Sequence, residues 1–250
     1  MMDTTLLIIA ALIVGLSKGG LASMAAIAVP MLALFMNPVQ AAATLLPVYI
    51  VTDWVGVWLY RKHYSKRNVW ILTPAILLGL AIATVITPYT PEFGLLIFTG
   101  LIGLWYSVRA WFSKPSTAVK TAEIGPGVFW GTLTGIASFI THSGAPPAQA
   151  YLLPQKLPKL EFAGTIAIAF AIGNVVKIPA YYSIGQMDGL NWSLIVGLAV
   201  TGIIGTFIGR WLTKKLHDQT YIKVIQGMLF LLSIILLLRG GMMLIQSISS

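Results

Sequence analysis

The sequence predicts an all-α polytopic membrane protein. It reads as two repeats of four apolar elements, about eight transmembrane segments, with the first element of each repeat broken and re-entrant and the repeats inverted. Three observations carry this. The 250 residues are 57% hydrophobic and only 9% charged, where a soluble domain carries about 25% charged residues. Mean hydropathy is +0.86, and apolar runs of spanning length recur along the chain. Two of those runs are interrupted at corresponding places, roughly 120 residues apart, by glycines, hydroxyls and one ionisable side chain each.

The elements follow in order. Thr4–Met36 holds about 33 residues, about 50 Å as a single helix, which is too long for one crossing. Gly15-Leu16-Ser17-Lys18-Gly19-Gly20 interrupts it. Val39–Tyr60, Val69–Pro88 and Phe93–Phe112 each supply the run of about 20 residues that a span needs. Gly125–Leu153 repeats the first pattern and is interrupted by Ile140-Thr141-His142-Ser143-Gly144-Ala145-Pro146-Pro147. Phe162–Ser183, Trp192–Leu212 and Tyr221–Ile245 complete the second set. The pieces before the breaks, Thr4–Leu16 and Gly125–Ala137, are about 13 residues each and too short to cross alone. Residues 1–120 and 121–250 are read as the two repeats of one membrane domain. Thr44 aligns with Thr165, Asp53 with Asn174, and Trp70 with Trp192 after a one-residue insertion.

Loop charge sets the direction, because Lys and Arg gather on the cytoplasmic side. If both broken elements crossed, Arg61, Lys62, Lys66, Arg67, Arg109, Lys114, Lys120 and Arg239 would face one side. Lys156, Lys159, Arg210, Lys214, Lys215 and Lys223 would face the other, with almost no bias. If both are hairpins, all of these except Arg239 share one side and both termini lie outside. Lys18 and Lys177 are set apart as intramembrane residues. The loop over 61–67 is basic, while its counterpart over 184–191 has no cation; the next pair, 89–92 and 210–217, reverses this. Equivalent loops facing opposite sides mean inverted repeats. Eight ordinary crossings remain the rival reading.

Composition excludes other classes. Cysteine is absent, so there is no disulfide framework and no thiolate metal site. The net charge of +9 does not imply nucleic acid, because the basic residues sit between apolar spans rather than along one face. His63, His142 and His217 are scattered, and there is no His-x-x-x-His pair, carboxylate dyad or nucleotide-binding glycine loop. The expectation is therefore no enzyme, no metal and no cofactor. Met1-Met2-Asp3 lacks a basic leader, so the first apolar segment reads as retained.

Non-helical backbone at membrane depth persists where protein buries it or it lines a polar cavity. Helix N-termini at such breaks offer free N–H groups to anions. The candidate substrate site is accordingly Ser17, Lys18, Gly19, Gly20, Thr141, His142, Ser143 and Gly144, with Asn174 and Lys177 from a neighbouring span. Asp53 and His142 are candidates for proton coupling, since an imidazole ordinarily titrates near 6.5. Gln149 follows the second break by about one turn. Plainer roles compete. Gly15-x-x-x-Gly19, Gly131-x-x-x-Gly135 and Gly205-x-x-x-Gly209 also read as helix-packing motifs. Lys18 has the option of snorkelling, His142 of capping carbonyls, and Asp53 of simple pairing with Lys18 or Lys177. Asn174 and Lys177 share a helix face and have the option of interhelical bonding. Trp58, Trp70, Trp111 and Trp192 read as interfacial anchors.

The motif at 15–20, the break near Thr141–Pro147 and the four-plus-four layout together resemble the sulfite exporter TauE/SafE family, also called the toluene sulfonate uptake permeases. The resemblance covers essentially the whole chain. It rests on Gly15, Lys18, Gly19 and Gly20 in the first motif and on His142, Gly144 and Pro147 in the second. It implies a multi-pass permease of the bacterial inner membrane for sulfur-containing anions such as sulfite, sulfoacetate or sulfonates. The expected function is a secondary transporter binding a small anion at the midplane by helix N-termini and Lys18, with protons as a candidate coupling ion. A channel-like anion facilitator, or a permease for another small organic anion, is the alternative. Substrate, direction and oligomeric state stay open.

Overall fold

The structure is a computed structural model and describes residues 4–32, 38–86, 89, 91–112, 119–183 and 190–249. Met1–Asp3, Lys114, the loop over 184–189 and the side chains of Arg109 and Thr141 lie outside the described residues. All regular elements are helical. The first broken element is α1 (Thr4–Lys18), a short 310 turn (Ala22–Met24) and α2 (Ala25–Leu32). Next come α3 (Pro38–Tyr60), α4 (Lys66–Ile86) and α5 (Glu92–Phe112). The second broken element is α6 (Ile124–Thr141), α7 (Ala145–Leu152) and a 310 turn (Leu153–Gln155), followed by α8 (Lys159–Ser183), α9 (Trp192–Lys215) and α10 (Asp218–Ser249). By length and apolar composition α4, α8, α9 and α10 suffice to cross a membrane; Thr4–Lys18, Thr44–Tyr60 and Glu92–Trp105 are shorter apolar helices. Pro47, Pro74 and Pro179 lie inside helices, which membrane helices tolerate when neighbours satisfy the freed carbonyls. Trp58, Trp70, Trp111 and Trp192 are all exposed, as anchoring requires.

Small residues choose the partners. α1 packs along α9 and α4 along α6. A Cβ on Gly15 would strike the Gly202 backbone, and one on Gly209 would strike the carbonyl of Leu16 and approach Gly19. In the other pair Gly79 meets Gly135, and Gly131 meets Ala75. Residue numbers rise together across both contacts, so each pair is parallel. Backbones this close gain dispersion contacts that larger side chains would forbid. This corrects the expected helix lengths. Gly15 does not interrupt α1, which runs 15 residues to Lys18, and α6 runs 18 residues, each longer than the expected 13. At 1.5 Å per residue α6 is about 27 Å long. The remaining contacts join α5 to α10, α3 to α8, α3 to α9 and α4 to α8.

In each broken element the second helix packs against the first. Tyr151 at the end of α7 donates to the Glu123 carbonyl before α6 (3.1 Å), and the Lys120 N–H donates to Pro154 (3.2 Å). The second element thus returns to the end from which it started. In the first, Ala25, Ala28, Val29 and Leu32 of α2 share an apolar cluster with Leu7, Ala10, Ala11 and Val14 of α1. The basic segments gather at one end. Arg67 Nε donates to Ala122 (2.7 Å), Asn68 and Gln155 exchange amide hydrogen bonds (2.8 and 3.1 Å), the Ser65 N–H donates to Thr165 (2.9 Å), and Lys159 Nζ donates to Leu216 (2.5 Å).

Candidate functional site

Each break is built by backbone that a continuous helix does not use. After Lys18 the chain turns at Gly19 and Gly20, and Gly20 has φ +129°, a region nearly closed to other residues. The carbonyls exposed by the turn are taken up by distant side chains. Gly19 accepts from Tyr60 OH and from Thr213 Oγ1 (3.2 Å), and Gly20 accepts from Tyr221 OH (3.0 Å). Ser17 Oγ donates to Ala22 O (3.2 Å). The second break ends α6 with His142 in the left-handed region at φ 54°, its N–H bonded to the Ser138 carbonyl (3.2 Å). That is the αL helix stop in which glycine is usual; a histidine there stores of order 1 kcal/mol of strain. α7 begins after Gly144 with prolines in its first turn, where their missing N–H costs nothing.

Five of the expected residues fall into two buried polar groups. Lys18 Nζ lies 2.6 Å from Asp53 Oδ1. Asn174 Nδ2 donates to Asp53 Oδ2 (2.6 Å). Lys177 Nζ donates to the Ser138 carbonyl (2.7 Å) and hydroxyl (2.8 Å) and meets His142 Nδ1 at 3.3 Å. Lys18, Asp53, Asn174, Lys177 and His142 are all buried. Tyr49 joins the two breaks: His142 stacks on its ring at 4.7 Å and 12°, and Lys18 Nζ lies 5.0 Å from its centroid. Tyr49 OH donates to the Ala25 carbonyl at 2.8 Å, holding the start of α2.

The charges do not balance. Counted as ions, Lys18 and Lys177 contribute two positive charges and Asp53 one negative. Lys177 is met by a carbonyl, a hydroxyl and an imidazole rather than a carboxylate. A buried ammonium without a counter-charge is costly, a cost met by binding an anion or by giving up the proton.

The other expected residues occupy the turns. Ser143 and Gly144 are buried in the second break, and Ser17, Gly19 and Gly20 form the first. Gln149 is fully buried on α7. Beside the first break Ser17, Lys18, Gly20 and Ala22 face Ala163, Ile166, Ala167 and Phe170 of α8 across a cavity of about 10 Å³, room for about one water. Gly19 sits against Gly209, about three quarters of the way along α9, and Gly135 sits against Gly79, with the α6 terminus six residues further on. The 310 turn of the first break packs against α7 of the second, and α2 packs against α6.

Sequence reasoning missed Tyr49, Ser138, Tyr60 and Tyr221. Each acts across 24 to 201 residues of sequence, and none stands out from the apolar pattern.

A helical membrane protein with ionisable groups buried between two broken helices belongs to the class of membrane transporters, since such groups inside a membrane mark solute or ion pathways. The match to known sequences narrows this. A family model described as Sulfite exporter TauE/SafE matches residues 7–237, and the chain belongs to that family. It is a transporter family rather than an enzyme family. No curated protein and no solved structure matches.

Proposed function

We propose that the protein is a secondary transporter for a small sulfur oxyanion or organosulfonate, held between the two breaks by Lys177, Lys18, His142 and the polar turns Ser17–Gly20 and Thr141–Gly144. The observation that carries this is the buried Lys177 ammonium facing no carboxylate. Lys18 is already paired with Asp53, so the surplus positive charge rests on Lys177. Asn174 orients Asp53, and Asp53 and His142 are the groups positioned to exchange a coupling proton.

We read residues 1–120 and 121–250 as inverted repeats, with both broken elements entering the bilayer as hairpins from opposite faces. The packing pattern supports this: exchanging α1 with α6, α3 with α8, α4 with α9 and α5 with α10 turns the contacts α1–α9, α3–α9 and α5–α10 into contacts that are also present. Collection of the basic loops at one end supports hairpins over eight crossings, with that end cytoplasmic in a bacterial inner membrane. With room for one water beside Lys18, an anion reaches the site only when the halves move. That is the behaviour of a carrier rather than an open pore.

The test is sulfite, sulfate, thiosulfate, sulfoacetate and aromatic sulfonate flux in proteoliposomes. Wild-type protein gives saturable flux with counterflow for at least one of these anions, and Lys177→Met lowers it at least tenfold. Unchanged flux and affinity in Lys177→Met would exclude the assigned role, and non-saturating flux with unitary currents would indicate a channel.

A further inference from the structure

At the basic end of the molecule, the tip of the first break is clasped by hydroxyls from three helices: Tyr60 of α3 and Thr213 of α9 hold the Gly19 carbonyl, and Tyr221 of α10 holds that of Gly20. Arg210 stands beside this clasp. Its guanidinium lies 4.0 Å from the Tyr60 ring centroid, and its backbone nitrogen is packed against Gly19. Its Nη1 is buried without a hydrogen-bond partner, although the residue as a whole is half-buried. The ion pairs Lys18–Asp53 and Arg239–Glu92 do not include Arg210, and no carboxylate is paired with it among the described residues. A buried donor left unmade is costly and calls for an acceptor. Gly20 also walls the small cavity beside Lys18, and the side on which it lacks a Cβ faces Thr213 and Tyr60. One turn of chain therefore separates the buried cluster from Arg210. The feature belongs to one end alone. In the aligned place after α4 the sequence reads Ile86-Thr87-Pro88-Tyr89, without a cation.

We propose that Arg210 is a second anion station at the basic mouth, where the oxyanion head is held outside the door formed by Tyr60 and Gly19 before it reaches the buried cluster. The guanidinium offers a planar fork matched to two oxygens of a sulfite or sulfonate group, and the Tyr60 ring fixes the plane of that fork. The station rests on the transport reading above.

The experiment compares inside-out and right-side-out membrane vesicles with sulfite as the probe. Arg210→Gln raises KM at the basic face at least tenfold and leaves KM at the opposite face within twofold. Arg210→Lys, which keeps the charge and loses the fork, gives an intermediate KM at the basic face. A purely structural arginine would change both faces alike or neither, and that result overturns the proposal while leaving the transport reading intact. A wild type that carries none of sulfite, sulfate, thiosulfate, sulfoacetate and aromatic sulfonate from either face sinks both.

Discussion

The Lys18 ammonium lies 2.6 Å from the Asp53 carboxylate, with both side chains almost wholly buried, at 4% and 1% exposure. Breaking such a pair by removing one partner leaves a bare charge and costs about 3–5 kcal/mol, whereas removing both is far milder. Asp53→Asn and Lys18→Met are therefore each expected to lose several kcal/mol of stability in detergent, read by thermal unfolding. The double variant recovers most of that loss. If it recovers stability but not flux, the pair serves transport as well as folding.

Lys177 ties α8 to the last turn of α6 through Ser138 and to the second break through His142. Lys177→Arg keeps the charge but replaces a compact ammonium with a planar fork. The expected outcome is retained binding with at least tenfold weaker affinity, while Lys177→Met shows no anion-induced thermal shift at all. Equal shifts in wild type and Lys177→Met would contradict this.

Close backbone approach makes the glycines sensitive. Gly15→Ala and Gly205→Ala place a methyl group into the opposing backbone, and overpacking of this kind costs about 1–3 kcal/mol. Gly20→Ala meets Thr213 and Tyr60 and also forces an alanine to φ +129°, adding about 1–3 kcal/mol of backbone strain. Gly94→Ala, where nothing lies within 4 Å, serves as the neutral control. Thermal unfolding midpoints order these variants.

Because the chain has no cysteine, single thiols report sidedness without background. Cysteines at His63, Lys156 and Lys214 are expected to react with an impermeant maleimide from one face of the membrane, and one at Asn191 from the other. Labelling of His63 and Lys156 from opposite faces would restore eight crossings and remove the hairpins.

Much of this was legible in advance because it is written in runs. The helices α3, α4, α5, α8, α9 and α10 follow from twenty-residue apolar stretches, and the gathering of basic loops follows from counting cations. Both breaks were found, and the first begins later than expected. Gly15 reads as part of an interruption, yet α9 presses against it and keeps it helical, so the turn falls at Gly19 and Gly20. Lys18, Asp53, Asn174, Lys177 and His142 were visible as polar residues in apolar segments, while their pairing was not. Asp53 had two possible lysine partners on different helices, Lys18 and Lys177, and only packing selects Lys18. Tyr60 and Arg210 stayed hidden because aromatic and basic residues near span ends have an ordinary reading as interfacial anchors, and Tyr49 because a mid-helix aromatic reads as core.

The surplus charge beside His142 has an electrical consequence. If the proposed carrier works with both lysines ionised, its empty form would hold one extra positive charge and its form loaded with a monovalent anion none. Only the empty form would then respond to membrane potential, by up to about 2.3 kcal/mol per 100 mV. On that reading a negative cytoplasm would draw the vacant site inward and leave the neutral loaded form indifferent, so resting voltage would favour expulsion of the solute.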